Sequence, residues 1–133
     1  MLWPAALAGA TWQAANGRPT AFASAIYLTA SSVCHQRPER SFHAGSAQWA
    51  VCARCTGLYL AAPIGAIAAM ALARRVRLGW VVVAAVPTAL TWGLETAGLA
   101  AIGNLARFIA ALPLGAAVAM LAIGTAAGKS ALD

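Results

Sequence analysis

The stretch from Cys34 to Gly57 reads CHQRPERSFHAGSAQWAVCARCTG. It contains all three cysteines of the chain, both histidines and four of the twelve Asp, Glu, Lys and Arg side chains. The sequence on either side consists mainly of Ala, Leu, Val, Ile and Gly. A chain that gathers its reactive side chains in this way is expected to present one site on an apolar scaffold.

The composition indicates that this scaffold lies in a membrane. Hydrophobic residues make up 62% of the 133 residues and charged residues only 9%, whereas soluble domains carry about 25% charged residues. A helix that crosses a bilayer needs about 20 mostly apolar residues, with a range of about 17–25. Three uncharged runs are near this length, namely Thr56–Ala73, Leu78–Leu94 and Phe108–Gly128. The lipid bilayer is therefore the first expected partner.

The pattern of apolar segments predicts an all-α, polytopic membrane helical bundle that forms a single membrane domain over residues 1–133. We expect about four spans, plus a short re-entrant or interfacial helix before a Cys/His loop. The predicted segments are a first helix 1–16, a short helix 20–33, the Cys/His loop 34–55, and transmembrane helices 56–73, 78–98 and 105–127. The first helix has a short apolar part, so an interfacial position is its alternative.

The net charge of +6 does not indicate nucleic-acid binding. The nine Lys and Arg residues are scattered among loops and helix ends, without the basic face that nucleic-acid binding requires. Cations beside spans are typical of contacts with anionic headgroups. A compact loop of Arg74, Arg75 and Arg77 is expected to be cytoplasmic. This orientation would place the Cys/His loop on the outer face of the cytoplasmic (inner) membrane.

The cysteines and histidines predict a metal site. Cys52 and Cys55 form a C-x-x-C unit, whose spacing lets both thiols face one ion or close on each other. Cys34 lies upstream, followed directly by His35 and later by His43. Three thiolates and one imidazole make a closed tetrahedral zinc site, whereas an open site would keep a water. The expected cofactor is zinc or another soft divalent metal, and the predicted ligands are Cys34, His35, His43, Cys52 and Cys55.

A thiol-disulfide oxidoreductase of the membrane is the first alternative. An odd number of cysteines excludes a complete internal set of disulfides, but Cys52 and Cys55 could cycle with Cys34 as a partner thiol. The cation of Arg54 between them favours the thiolate, which suits metal binding and redox exchange equally. A quinone or another protein would accept the electrons. In the plainest interpretation the thiols are buried and inert.

The topology adds polar residues to the same end of the bundle. The helix after the Cys/His loop runs away from it, the next returns, and the last runs away again. Glu95, Asn104 and Arg107 are therefore expected at the membrane edge that holds the cysteines, with Thr56 at the start of its span. Ionisable residues near a bilayer usually pair or serve a function. We expect Glu95 and Arg107 to form an ion pair, with Glu95 as an oxygen ligand or proton acceptor as the alternative.

A second alternative is an enzyme or transporter that handles a lipid phosphate. Arg37 and Arg40, together with Arg107, could hold the phosphate, while His35 or Glu95 moves a proton. The candidate catalytic residues are therefore His35, Glu95 and Arg107, although whether the protein is an enzyme stays open. The remaining candidate site residues are Arg37, Arg40, Arg54, Thr56 and Asn104. A structural subunit is the last alternative, and small residues in the helices allow self-association into a homo-oligomer.

Two motifs resemble a known family. Residues 34–42 read CHQRPERSF and residues 52–60 read CARCTGLYL, and both are followed by Asn104-x-x-Arg107 and Pro113-Leu114-Gly115. This combination is similar to a family of small prokaryotic membrane proteins, domain of unknown function 2085, over the chain from about Tyr27 onward.

The resemblance implies a multi-pass membrane protein and no particular activity. It also implies a functional cluster of Cys34, His35, Cys52, Cys55, Asn104 and Arg107. The chain departs from the family at Thr91, where many relatives carry an aspartate. Glu95, one helical turn further on, is the acidic residue available for that role.

Overall fold

The computed structural model describes residues 2–18, 20–72 and 76–126. Three ends of the predicted segments, residues 1, 73 and 127, lie outside this part of the chain, as do Pro19 and residues 128–133. Two arginines of the predicted cytoplasmic loop, Arg74 and Arg75, lie outside it as well.

Five helices account for most of the described residues: α1 Leu2–Ala15, α2 Ala21–Ser31, α3 Ala53–Leu72, α4 Leu78–Thr96 and α5 Asn104–Ala126. Between α2 and α3 lie a short 3-10 turn, Pro38–Arg40, and two strands, β1 Ser41–Ala44 and β2 Ala47–Cys52. The predicted mostly helical membrane architecture is confirmed, with one small sheet added.

Three of the described helices, α3, α4 and α5, are long and apolar enough to cross a membrane. Helix α1 has 14 residues, and at about 1.5 Å per residue it is about 21 Å long. The hydrocarbon core of a bilayer is about 30 Å thick, so α1 is too short to cross it upright. Within the described residues, three helices rather than about four therefore meet the length requirement, and α2 is the expected short helix before the Cys/His loop.

Glycines allow α3 and α5 to approach closely. A Cβ atom added to Gly115 would lie 2.8 Å from the Cα of Leu58, and one added to Gly65 would lie 2.7 Å from the Cα of Ala116. Real Cβ atoms essentially never show such distances. Small residues commonly let backbones come together in membrane helix pairs, and these two helices form the centre of the membrane part.

Helix α4 packs against α5 and leaves its other side exposed. The hydroxyl of Thr88 donates to the carbonyl oxygen of Ala110 over 2.7 Å, which links the two helices. No residue of α4 is buried, and its apolar side chains include Val82 and Leu90, about three-fifths exposed. Apolar surface of this kind is stable when lipid covers it, which agrees with a membrane-spanning helix.

A second core lies between α1, α2 and the sheet. Its buried residues are Leu7, Ala30, Cys34, Ala50 and Val51, with Trp3 and Tyr59 packed against them. Inside it, the backbone nitrogen of Ala50 donates to the hydroxyl of Thr11 over 3.3 Å. This core fixes the position of Cys34 relative to strand β2.

The predicted Cys/His loop 34–55 contains a β-hairpin, which was not predicted from the sequence. Strands β1 and β2 are antiparallel, and Ser41 pairs with Cys52. The two-residue turn Gly45-Ser46 connects them, and Gly45 has a φ of 60°. Positive φ at the first turn residue is typical of tight hairpin turns. The Gly-Ser pair therefore indicated a turn, but the strands on either side have only four and six residues, and short strands give a weak pattern.

Helix boundaries differ from the predictions by up to three residues. Helix α3 begins at Ala53 rather than at residue 56, directly after β2, so Cys55 lies in its first turn. Helix α4 ends at Thr96 rather than at residue 98, because Gly98 takes a φ of 68° and its nitrogen donates to the Glu95 carbonyl over 3.1 Å. This left-handed glycine closes the helix end.

Candidate functional site

The three cysteines come from three different elements and meet at one place. Cys34 follows α2, Cys52 ends β2 and Cys55 lies in the first turn of α3. Their Sγ atoms all lie within 4.8 Å of one another. All three are free thiols, and the backbone nitrogen of Cys52 donates to the Cys34 Sγ over 3.2 Å. Three cysteines arranged in this way could hold a metal ion.

Gln36 holds the segment of Cys34 against the hairpin. Its backbone has a φ of 47°, in the left-handed region, which turns the chain sharply after His35. Its side-chain amide nitrogen donates to the carbonyls of Tyr27, over 2.9 Å, and Ala50, over 2.8 Å. One side chain therefore ties the residues after α2 to both α2 and β2.

Gln48 makes the reciprocal connection from the strand. Its amide nitrogen donates to the carbonyl oxygen of Gln36 and, over 3.2 Å, to the hydroxyl of Ser41. The hydroxyl of Tyr27 donates in turn to the Gln48 carbonyl over 2.5 Å. Neither glutamine was predicted as a site residue, although Gln36 belongs to the first of the two sequence motifs.

The electrostatic surroundings of Cys34 favour its thiolate. Hydrogen bonds from Cys52 and then Cys55 hold the pKa of the Cys34 thiol well below its usual range, against the opposing effect of burial. Thiolates, rather than thiols, bind metals and attack disulfides. Cys34 is only 6% exposed, so its environment stabilises charge while limiting access.

The two histidines occupy different places. His35 lines the same cavity as the cysteines, whereas His43 lies on β1 with an exposed side chain. Among the described residues, the compact group of possible ligand atoms contains the three cysteines and neither histidine. His35 is therefore the histidine nearer to the centre of the site.

Glu95 connects the ends of the three long helices. It lies near the end of α4, and its carboxylate is 6% exposed. One oxygen accepts from Arg54 in the first turn of α3, and the other accepts from Arg107 in the first turn of α5. The structure thus contains the expected Glu95–Arg107 pair and adds Arg54, which the sequence analysis had not linked to Glu95.

Arg107 extends this connection to the Cys/His loop. Its Nη1 atom donates to the Asn104 side-chain oxygen over 2.5 Å and to the Glu39 carbonyl over 3.4 Å. Asn104 donates to the backbone carbonyl of Ser41 over 2.9 Å. The start of α5 is therefore bound directly to the residues that lead into the hairpin.

The other predicted site residues have simpler surroundings. Thr56 is buried and donates to the carbonyl oxygen of Cys52 over 3.0 Å, which stabilises the first turn of α3. Arg37 lies 4.0 Å from Glu39, and both side chains are about three-fifths exposed. An exposed pair of this kind contributes little stability. Arg40 is half-buried.

A cavity of about 380 Å³ lies between the cysteines and the arginines. Its polar lining includes the three cysteines with His35 and Gln36, and its apolar lining consists of Val33 and Trp92. Four arginines complete it: Arg37, Arg40, Arg54 and Arg107. The candidate metal ligands and the cationic side chains therefore face one common space.

Two proteins of methanogenic archaea resemble this chain. An uncharacterised protein of Methanothermobacter thermautotrophicus is 32% identical over 92 residues, which cover 67% of this chain and 83% of that protein. An uncharacterised protein of Methanocaldococcus jannaschii is 33% identical over 89 residues, which cover 63% of this chain and 57% of that protein. No solved structure matches the chain.

The family described as predicted membrane protein (DUF2085) matches residues 34–121. The match begins at Cys34 and includes the other two cysteines, Glu95 and Arg107. These are the residues whose side chains meet at the end of the three long helices. Since the match covers most of the chain, this protein belongs to the DUF2085 family of predicted membrane proteins.

Proposed function

We propose that this membrane protein binds one soft divalent metal ion, best fitted by zinc, through Cys34, Cys52 and Cys55. The observation that carries the proposal is the approach of three free thiols to within 4.8 Å of one another. Zn–S bonds of about 2.3 Å in tetrahedral geometry place sulfur atoms about 3.8 Å apart. The thiols need little movement to reach that arrangement.

The fourth position decides what the metal does. We assign it to His35, which follows Cys34 and lines the cavity, rather than to His43, which lies on strand β1 of the hairpin. Both histidines are exposed, so their position relative to the cavity is the criterion. Bound by His35, the ion would be closed and structural. If His35 stays away, a water or substrate would complete the coordination, and the ion would be able to act as a Lewis acid.

The site would lie at one face of the membrane, where α3 begins and α4 ends. We place this face on the outer side of the cytoplasmic membrane. The support is the sequence of the opposite end, which carries Arg74, Arg75 and Arg77. Clustered arginines of a short loop tend to remain on the cytoplasmic side.

The test is the metal content of detergent-purified protein, measured by mass spectrometry. We expect about one equivalent of zinc per chain, lost in Cys55→Ala and retained in His43→Ala, the matched control outside the cavity. Loss in His35→Ala would identify the fourth ligand. Metal-free wild-type protein from a preparation without chelators would contradict the proposal, as would full metal content in Cys55→Ala.

A membrane thiol-disulfide oxidoreductase is the second candidate. The specific support is the lowered pKa of the Cys34 thiol beside two other free thiols. Oxidation of Cys52 and Cys55 would form one S–S bond and release two protons and two electrons, which a bilayer quinone or a second protein would accept. Titration against a thiol-disulfide redox buffer separates the candidates. Thiols on a metal resist alkylation until a chelator is added, whereas a redox pair oxidises reversibly without one.

A further inference from the structure

We propose that the cavity beside the cysteines binds a phosphate group, held by Arg37, Arg40 and Arg54. This proposal concerns the arginine side of the cavity, and it does not depend on a metal ion at the cysteines. It assigns the cavity a ligand class, a phosphate or phosphate ester.

The first argument is charge. Four guanidinium groups line the cavity, and its lining among the described residues contains no carboxylate. Glu95 contacts two of them and Glu39 lies near a third, so four positive charges meet two negative ones. Two positive charges remain, or one if three thiolates and a divalent ion add a negative charge. A phosphate monoester carries about 1.5 to 2 negative charges, which matches the excess of two charges in the metal-free cavity.

The second argument is the set of unused hydrogen-bond donors. Arg54 donates to Glu95 through its Nη2 atom, and its side chain also lines the cavity. Arg40 is half-buried and makes no ion pair or side-chain hydrogen bond with the described residues. Arginine donors match phosphate oxygens in geometry and charge, so a bound phosphate would give the Arg40 side chain hydrogen-bond partners.

Arg107 has a different part in this arrangement. Its Nε and Nη2 atoms donate to the Glu95 carboxylate. Its Nη1 atom donates to the side-chain oxygen of Asn104 and to the backbone carbonyl of Glu39. It is therefore a positioning residue, which fixes the carboxylate that in turn orients Arg54. Among the described residues, the Arg37 side chain has only the 4.0 Å contact with Glu39, which a phosphate could replace with little loss.

The third argument concerns the shape of the ligand. The cavity volume of about 380 Å³ is much larger than a bare ion needs, since one water takes about 30 Å³ of liquid. Val33 and Trp92 also line the cavity, and their side chains are 61% and 58% exposed. Apolar groups beside a cationic space fit an amphipathic molecule. A lipid phosphate headgroup is one source of the ligand and free phosphate is the other.

The experiment uses the full chain in a neutral detergent. Inorganic phosphate is titrated by isothermal calorimetry, and phosphatidic acid in phosphatidylcholine vesicles is offered to the reconstituted protein, with retained lipid measured by native mass spectrometry. The variants are Arg40→Gln and Arg37→Gln. The matched control is Arg77→Gln, an exposed cation at the start of α4, at the other end of that helix from Glu95.

We expect about tenfold weaker binding in Arg40→Gln, because hydrogen bonds to charged groups are among the stronger ones. The control should bind like the wild type. If inorganic phosphate binds and Arg40→Gln weakens that binding while the control does not, free phosphate is supported as the ligand. If only phosphatidic acid is retained, with the same effects of the variants, a lipid headgroup is supported. The proposal is overturned if neither ligand binds. It is also overturned if Arg77→Gln weakens binding as much as Arg40→Gln and Arg37→Gln do. Repeating the titration after chelator treatment separates this result from the metal, since phosphate binding is expected to persist.

Discussion

The Nε atom of Arg107 donates to Oε1 of Glu95 over 2.8 Å, across the connection between α4 and α5. The same carboxylate accepts from Arg54 on α3, so one acidic side chain joins the ends of all three long helices. Because Arg107 also donates to the Glu39 carbonyl, this connection reaches the Cys/His loop. The membrane part of the protein and the cysteine cluster are therefore mechanically linked through two side chains.

Glu95→Gln is expected to destabilise the folded protein strongly. The substitution leaves two mostly buried guanidinium groups without a counter-charge. Removing one partner of a buried ion pair lowers the free energy of unfolding by about 3–5 kcal/mol. The measurement is the free energy of unfolding in detergent. Glu39→Gln is the control, since its pair is exposed and is worth about 0–1 kcal/mol. Equal effects of the two substitutions would show that the buried carboxylate does not hold the helices together.

Gly115→Ala is expected to loosen the contact between α3 and α5. The new methyl group would overlap the backbone of Leu58, and overpacking of this kind costs about 1–3 kcal/mol. Gly79→Ala on α4 is the matched control, because nothing lies within 4 Å of its added Cβ. There the better helix propensity of alanine should leave the free energy of unfolding unchanged or raised by up to about 1 kcal/mol. A Gly115 variant as stable as the control would contradict the close approach of these helices.

The long helices could be predicted from the sequence, since uncharged apolar runs of nearly 20 residues have few alternatives in any solvent. Their antiparallel order also places Glu95 and Arg107 at one end. The hairpin could not be predicted in the same way, because its strands are short and its Ala47–Cys52 strand is stabilised by packing on Leu7 and Ala30. Such tertiary contacts decide β structure more than local propensity does.

The candidate site shows the same division. The three cysteines could be grouped by type and spacing, as motifs allow. The contact of Arg54 with Glu95 depends on the start of helix α3 at Ala53, directly after a strand. The position of Arg54 between two cysteines in the sequence indicated only that it lies near the thiols. The hydrogen bonds of Gln36 depend on a left-handed backbone conformation, which is uncommon for residues other than glycine. Geometry of this kind is set by the surrounding core.

Gln36→Ala is expected to weaken metal binding without removing a ligand. The substitution removes the hydrogen bonds to the Tyr27 and Ala50 carbonyls that hold the Cys34 segment against β2. Residues that support ligands in this way typically change metal affinity by about 10–100-fold. Competition with a zinc chelator measures the affinity, and Ser46→Ala in the exposed hairpin turn is the control. An unchanged affinity in Gln36→Ala would show that the cysteines assemble without this support.

The order in which thiols react tests the geometry of the cluster independently of any metal. Two effects compete at Cys34, since its lowered pKa provides thiolate, while burial to 6% exposure restricts access. The Cys34 sulfur also accepts a hydrogen bond from the Cys52 backbone, and a thiolate of low pKa is intrinsically the weaker nucleophile. The restricted access and the weaker nucleophilicity of Cys34 therefore oppose the effect of its larger thiolate fraction, and we expect chelator-treated protein to alkylate Cys52 before Cys34.

Peptide mass spectrometry over a time course of iodoacetamide labelling measures this order. In denatured protein the three cysteines should react at similar rates, because the differences arise only from the fold. Cys34 reacting first in the folded protein would mean that the thiol is open to solvent, and the buried position between α2 and β2 would then be wrong. Slow labelling of Cys34 that becomes fast in Gln36→Ala would further show that the glutamine holds this thiol in its buried place.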